Sequence, residues 1–216
     1  MTARLRINEI FYSIQGESTW AGLPCVFIRL TGCNLRCSWC DTEYAFHEGR
    51  QTQIDEIMEQ VRRYRSRLVE VTGGEPMLQK GVTALFEALL AEGFTVLLET
   101  SGERDLSAVD RRIIKIMDLK CPASGECERN RWSNLEHLLA HDEVKFVVAD
   151  RRDYEWAREV IRGHALHQRV RAVLLSPASG RLDAASLASW ILNDRLPARM
   201  QLQMHKQIWP GETRGV

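Results

Sequence analysis

No stretch of the chain approaches 18 consecutive apolar residues, so nothing in it reads as a membrane-spanning helix. Nor is there an excess of charge of either sign. The 29 Lys and Arg stand against 29 Asp and Glu, which removes any global electrostatic argument for a nucleic acid or an anionic membrane as partner. The opening "MTARLRINEIFYSIQGE" lacks an apolar segment with a small-residue cleavage site, and the expectation is a soluble protein of the cytoplasm. Fixed-period repeats, low-complexity tracts and shifts in composition are missing too. That leaves 216 residues, 44% hydrophobic and 27% charged, as one domain large enough to bury a real core. Cysteine is scarce, six in all, yet three of the six fall in one short loop, Cys33-x3-Cys37-x2-Cys40. In a reducing compartment such a cluster reads as metal ligands or a redox centre rather than as disulfides.

What the chain does have is a regular alternation. Short apolar, often β-branched runs at 25–31 (CVFIRLT), 68–72 (LVEVT), 94–100 (FTVLLET), 113–119 (IIKIMDL), 144–150 (VKFVVAD), 170–176 (VRAVLLS) and 200–204 (MQLQM) predict strands. Between most of them lie stretches of helical period. Ile54, Ile57, Met58 and Val61 form one apolar stripe, Val82, Leu85, Phe86 and Leu89 a second, and Leu187, Ile191 and Leu192 a third. This alternation predicts an α/β fold of right-handed βαβ units around a parallel sheet or barrel. In such folds the carboxyl ends of the strands share one face, and that face carries the site. Chemistry-bearing segments follow six of the strands: the cysteine triplet the first, TGGEP (72–76) the second, ETSG (99–102) the third, DLKCP (118–122) the fourth, SPASG (176–180) the sixth and His205-Lys206 the last. Loops are polar in any fold, so no single one of these segments decides the matter.

The cysteines decide more. Thiolate is a soft donor that suits zinc or an iron–sulfur cluster, and this spacing lets one loop wrap one centre. A structural zinc or an electron-transfer cluster takes four protein ligands, whereas three leave a corner for something exchangeable. Cys25 lies inside an apolar strand as a small buried hydrophobe. Cys121 and Cys127 flank a loop and are the remaining source of a fourth ligand. From the residues alone, a closed zinc or iron–sulfur module without turnover stays open as a reading.

The triplet, with Trp39 before its last cysteine and Gly-Gly-Glu after the next strand, resembles the radical S-adenosylmethionine superfamily. The resemblance implies an incomplete (β/α) barrel over residues 1–216 as a single domain, with a cluster-binding loop at 32–47. It also implies a 4Fe-4S cluster on Cys33, Cys37 and Cys40, whose unique iron takes the amino and carboxylate groups of S-adenosylmethionine, so that electron transfer releases a 5'-deoxyadenosyl radical. Within the superfamily, FYSIQGES (11–18), FIRLTGCNLRCSWCDT (27–42), TGGEPML (72–78), ETSG, DLKCPASGE (118–126) and the terminal HKQIWPGETRGV are similar to the 7-carboxy-7-deazaguanine synthase family. This set is much more specific than the triplet. The family converts 6-carboxy-5,6,7,8-tetrahydropterin to 7-carboxy-7-deazaguanine with loss of ammonia, a lyase-type ring contraction in 7-deazapurine (queuosine) biosynthesis. A glycyl-radical-enzyme activase shares the triplet but leaves QGE, Arg29 and CDT unmatched.

Residue roles follow from the resemblance. Ile14, Gln15 and Gly16 match a pterin-binding segment, in which an amide offers donor and acceptor and glycine lets the backbone approach; Glu17 adds an acceptor for ring N–H groups. Arg29 matches a carboxylate-binding arginine, although an arginine at a frayed strand end is its other reading. Thr72, His205 and Val216, the last two in a substrate-site tail at 205–216, complete the substrate set; for His205 a histidine satisfied by its neighbours is the alternative. Trp39, Cys40, Asp41, Gly73, Gly74, Thr100, Ser101, Asp118, Leu119 and Lys120 match cofactor-proximal segments, as do Ser176, Pro177, Ala178 and Ser179. Thr42 matches a Mg2+ contact. No side chain is expected to act as nucleophile or base. The partners implied are the pterin, a flavodoxin- or ferredoxin-type electron donor and a second copy in a homodimer, with no nucleic acid and no membrane.

Overall fold

The computed structural model describes residues 3–212 and 214–216. In chain order its elements are β1 (Arg4–Ile14), β2 (Pro24–Leu30), β3 (Arg50–Gln53), α1 (Ile54–Arg63), β4 (Leu68–Gly73), α2 (Val82–Ala91), β5 (Thr95–Thr100), β6 (Ile114–Asp118), β7 (Glu143–Val148), α3 (Arg151–Gly163), α4 (Leu166–Arg169), β8 (Ala172–Pro177), α5 (Ala184–Asn193), β9 (Arg199–Met200) and α6 (Met204–Ile208), with short 3-10 turns between several of them. The strands form one nine-stranded sheet in the order β3-β1-β2-β4-β5-β6-β7-β8-β9. From β2 onward every neighbour is parallel, while β1 runs antiparallel to both β2 and β3. The two edges, β3 and β9, are not joined, so the parallel part curves as a barrel that does not close. Among the described residues no helix is long and apolar enough to cross a membrane.

All seven expected strands are present, with two differences. The last shrinks to Arg199–Met200, after which Gln201 N still donates to Leu175 O at 3.0 Å, and His205 and Lys206 then stand on α6 rather than in a loop. The alternation with helices also fails twice, because β5–β6 and β6–β7 are linked by turns. Asn134 explains the first of these. Its amide donates to Gly102 O (2.7 Å) and Arg104 O (2.6 Å) while its oxygen accepts from Leu106 N (3.0 Å), satisfying backbone groups that a helix would otherwise take up.

Alternation along the parallel strands separates two apolar layers. Val26, Ile28, Val69, Val71, Val96, Leu98, Val144 and Phe146 face outward and bury the stripes of α1 and α2, the apolar face of α3, and Leu187 and Ile191 of α5 in one large core. Leu192, expected on the α5 stripe, is instead 74% exposed because it lies past the edge of that face. Their neighbours face inward. There a smaller cluster of Phe11, Cys25, Phe27, Leu68, Leu97 and Ile116 plugs the barrel, with Phe11 and Phe27 stacked at 4.9 Å. Above that plug, toward the strand carboxyl ends, the inward positions turn polar. The helices are pinned by ordinary devices: Asp150 caps α3 through Asp153 N (2.9 Å) and Asp183 caps α5 through Ser186 N (2.9 Å). Fully buried Tyr154 on α3 places its hydroxyl 2.8 Å from Trp190 O and 2.9 Å from the Asp194 carboxylate, joining α3 to the end of α5. A Tyr154→Phe variant is expected to lose about 1–2 kcal/mol in urea unfolding with turnover unchanged.

Candidate active site

Strand direction places the six chemistry-bearing segments on one rim, where they line a single pocket with the loop after β1. The cysteine loop is held from below and from the side. From below, Gly32 N donates to Ala45 O (2.8 Å) and Glu75 N to Gly32 O (2.8 Å). From the side, Ser38 N donates to Ser124 O (3.0 Å), Ser38 Oγ to Ala123 O (2.8 Å) and Arg36 N to the Glu126 carboxylate (2.6 Å). The 122–126 segment that receives these bonds is itself fixed by buried Asp153, which accepts from Ala123 N (2.8 Å) and Ala149 N (3.0 Å). Arg36 lies over the Phe46 ring at 4.2 Å, and Arg181, over Trp39 at 5.4 Å, donates to Ser38 Oγ at 3.1 Å.

Cys33, Cys37 and Cys40 all line the pocket as free thiols. Burial pushes Cys33 up and Cys37 up to about 11, mutual repulsion with Cys40 adds to this, and the Lys120 ammonium opposes it. Such thiols need a positive centre to stand as thiolates. The other cysteines do not join them. Cys121 is fully buried in the outer core and pushed well above the usual thiol range by that burial, and Cys127 rests beside Asn130 Nδ2 at 4.0 Å, away from the pocket wall. Among the described residues no three His, Cys, Asp or Glu side chains converge on a single metal ion. Three thiols, without Cys121 or Cys127, share the cavity, a soft donor set that suits a cluster rather than one ion.

The Gly-Gly-Glu segment is structural on two sides. A Cβ on Gly73 would collide with Leu30 O, and one on Gly74 with Gly32 O and, at 2.7 Å, with Cys33 Cβ. Glu75, fully buried, accepts from Met77 N (3.0 Å), Thr100 Oγ1 (2.8 Å), Ser101 N (2.8 Å) and Ser101 Oγ (2.7 Å). It thereby locks the end of β4 to the end of β5.

The polar layer above the plug is a network of charges. Lys145 on β7, almost wholly buried, reaches Glu17 at 2.8 Å, also bonds Glu99, and lies 3.8 Å from Asp118, its register partner on β6. Burial opposes that ammonium, but the surrounding carboxylates outweigh it and hold the pKa well above that of an ordinary lysine. Glu99 shows the converse. Burial pushes it up, yet Lys145 and a hydrogen bond from Thr72 Oγ1 (3.0 Å) bring it down to about 2. Lys120 pairs with Asp118 at 2.9 Å, and Lys206 with Asp41 at 2.6 Å.

The loop after β1 forms the floor. Gln203 donates to Glu17 Oε1 (2.8 Å), Ser18 N to Gln201 Oε1 (2.8 Å) and Met204 N to Gly16 O (2.9 Å). Gly16 leaves no room for a Cβ because the His205 ring packs on it. Burial holds His205 below the usual histidine value, which favours the neutral ring. On the opposite wall Arg29 is fixed by Glu9, whose Oε1 accepts from Arg29 Nε (2.8 Å) and Tyr44 OH (2.9 Å), leaving the terminal guanidinium nitrogens for the pocket. Glu9 Oε2 also accepts from Gly215 N (3.2 Å), and Arg214 lies over Tyr44 at 4.2 Å, which brings Val216 to the pocket wall.

The pocket thus gathers the expected residues with three exceptions. Leu119 is buried in the outer core, Ser176 is buried with an unpartnered hydroxyl, and Pro177 lies off the wall, so of SPAS only Ala178 and Ser179 face the cavity. Glu9, Tyr44, Glu70, Lys145 and Gln203 were not singled out by sequence reasoning. For Glu70 and Lys145 a signal exists: each is a charge at an inward position of an otherwise apolar strand, LVEVT and VKFVV.

An incomplete barrel with three pocket-facing cysteines after its first parallel strand defines the radical S-adenosylmethionine class. Residues 27–123 match the model of the Radical SAM superfamily, which implies a 4Fe-4S cluster and S-adenosylmethionine. The chain is 49% identical to the 7-carboxy-7-deazaguanine synthase of Koribacter versatilis over 98% of its own length and 100% of the relative's, and 48% identical to that of Chlorobaculum tepidum over 99% and 98%. The fold superposes on the crystal structure of QueE from Escherichia coli with a TM-score of 0.72, covering 94% of this chain and 95% of that one at 23% identity. The chain belongs to the 7-carboxy-7-deazaguanine synthase family.

Proposed function

We propose that this pocket converts 6-carboxy-5,6,7,8-tetrahydropterin to 7-carboxy-7-deazaguanine with loss of ammonia. The observation that carries this reading is the pairing, in one cavity, of three cysteines with an Arg29 that Glu9 holds by its Nε and that shares the wall with Gln15, Gly16 and Glu17. Cys33, Cys37 and Cys40 would hold a 4Fe-4S cluster, which with S-adenosylmethionine would supply one-electron radical chemistry at this end of the cavity. The chain's own residues do the rest. Arg29, held by Glu9, receives the substrate carboxylate as a planar fork. Gln15, and Glu17 as fixed by Lys145 and Gln203, meet the heterocycle edge, and Gly73 and Gly74 offer backbone where side chains would not fit. Trp39, Thr100, Ser101, Asp118, Lys120, Ala178 and Ser179 form the cofactor wall.

Thr42 lines the same cavity beside Asp41, which Lys206 engages. A cation that keeps waters and takes substrate oxygens, such as Mg2+, would suit so sparse a donor set. A small one-electron protein of the flavodoxin or ferredoxin type is the matching reductant, because Arg36 and Ser38 leave the outer side of the cysteine loop open to solvent. An activase that works on a partner protein is disfavoured because it gives no role to Arg29 or to Gln15, Gly16 and Glu17, which line the same cavity as the cysteines.

The test is anaerobic reconstitution with iron and sulfide, then reduction with S-adenosylmethionine and 6-carboxytetrahydropterin. Formation of the deazapurine supports the reading; cofactor cleavage without that product favours an activase. A Cys121→Ala/Cys127→Ala variant is expected to retain the wild-type iron content, measured by elemental analysis. Loss of the iron there would restore the closed-site alternative.

A further inference from the structure

We propose that Glu70 is a positioning residue of the substrate site, fixing the orientation of the Gln15 side-chain amide and so the pattern of donor and acceptor that the pocket floor offers the pterin. The inference rests on the pterin reading above and deepens it.

Glu70 occupies an inward position of β4, opposite Phe27 on β2 and Leu97 on β5, directly above the apolar plug. It is only 4% exposed yet lines the cavity. Among the described residues it has no cation within 4.0 Å, since Lys145 commits its contacts to Glu17, Glu99 and Asp118. A buried acid without a counter-ion is costly. Burial, followed by the charges of Glu99 and Glu17, pushes its pKa well above the carboxylate range, and in either protonation state a carboxyl oxygen is left to accept from an amide. Its hydrogen-bond partner is Gln15 Nε2.

Gln15 is 3% exposed and is held at both ends. Its Oε1 accepts from Glu17 N at 3.0 Å, while its Nε2 donates to Glu70. Rotating the amide by half a turn would set NH2 against the Glu17 N–H, two donors facing each other. Glu17 N fixes the oxygen end and Glu70 rewards the nitrogen end, leaving one N–H and one lone pair in a set order. A heterocycle presenting an acceptor beside a donor is read by that order; the same ring with the two exchanged is not. The rest of the charged layer already has partners, so Glu70 has no other visible task.

The experiment compares Glu70→Leu and Glu70→Gln in anaerobic protein, measuring 6-carboxytetrahydropterin affinity by calorimetry and KM and kcat in the reconstituted enzyme. E70L, which leaves Nε2 unpaired, is expected to weaken binding and raise KM by about 5- to 150-fold with kcat changed far less. E70Q keeps an acceptor and is expected to stay within about threefold of wild type. In a Gln15→Leu background, E70L is expected to add nothing, because Glu70 acts through the amide. If E70L does not fold, Glu70→Val, which suits the β-branched strand, takes its place. Wild-type KM in E70L, E70Q as weak as E70L, or full additivity with Q15L would each overturn the inference while leaving the reaction intact. A wild-type protein that neither binds nor converts the pterin would remove the functional reading, and this inference with it.

Discussion

Gly74→Ala is expected to abolish iron retention and to lower product formation by at least about a hundredfold, although it adds a single methyl group outside the cysteine loop. The added carbon would overlap the carbonyl oxygen of Gly32 and stand 2.7 Å from both Gly32 C and Cys33 Cβ. Two of these three atoms are main chain and the third is one bond from it, so no side-chain rotation relieves the collision. Relief has to come from the backbone. Gly32, at φ +104°, is bonded on one side to Glu75 N (2.8 Å) and on the other to Ala45 O (2.8 Å), and displacing it moves Cys33, the first thiol of the triplet. Overpacking of this kind costs about 1–3 kcal/mol, so the variant is expected to fold. Gly163→Ala is the contrasting substitution. That glycine ends α3 with open space within 4 Å of where a Cβ would stand and with φ outside the left-handed region, and the change is expected to leave iron content and activity untouched. Iron and sulfide analysis of both variants after identical reconstitution, with circular dichroism to establish folding, checks the pair. Full iron in G74A would show that the loop adapts around the extra carbon.

Much of this arrangement was legible because strand ends and chemistry coincide. TGGEP, ETSG and DLKCP follow buried apolar runs, and strand direction alone sends them to one rim. What was not legible had partners distant in sequence. β3 is RQTQ, a strand without one apolar residue, which exists because it pairs with Arg4–Ile7. β1 alternates arginine with leucine and isoleucine over RLRI, a half-buried pattern less conspicuous than the apolar runs that follow it. The β5–β6 link is held open by Asn134, 28 to 32 residues from the groups it bonds. In the site, Glu9 is unremarkable in RINEIF until the fold brings it to Arg29, Tyr44 and Gly215 at once. Leu119 errs in the opposite direction. It lies between two pocket residues in DLK, but strand alternation turns its side chain into the core.

Lys145→Met is expected to destabilise the protein by about 3–5 kcal/mol at pH 7, because it removes the cation shared by Glu17, Glu99 and Asp118 and leaves buried carboxylates facing one another. The pH dependence gives the sharper test. In the wild type Glu99 is held near 2 against an ordinary value of 4.5. A carboxyl with a depressed folded-state pKa contributes stability that is present above its unfolded value and lost as pH falls through its folded one, here between about 4.5 and 2. Lys145 has the opposite sign: its raised pKa contributes stability below the ordinary lysine value, lost only as pH climbs above it. Near neutrality both contributions are present. Without the ammonium Glu99 loses its main stabilising charge, its pKa returns toward or above the ordinary range, and the variant no longer loses this part of its stability in acid. The gap between wild type and variant should therefore narrow on moving from pH 7 to pH 4, by about 1 kcal/mol. Urea unfolding of both proteins at the two pH values measures it. A gap that stays constant would mean that the substitution costs only packing, and that the carboxylates of the pocket are held apart by something other than the buried lysine.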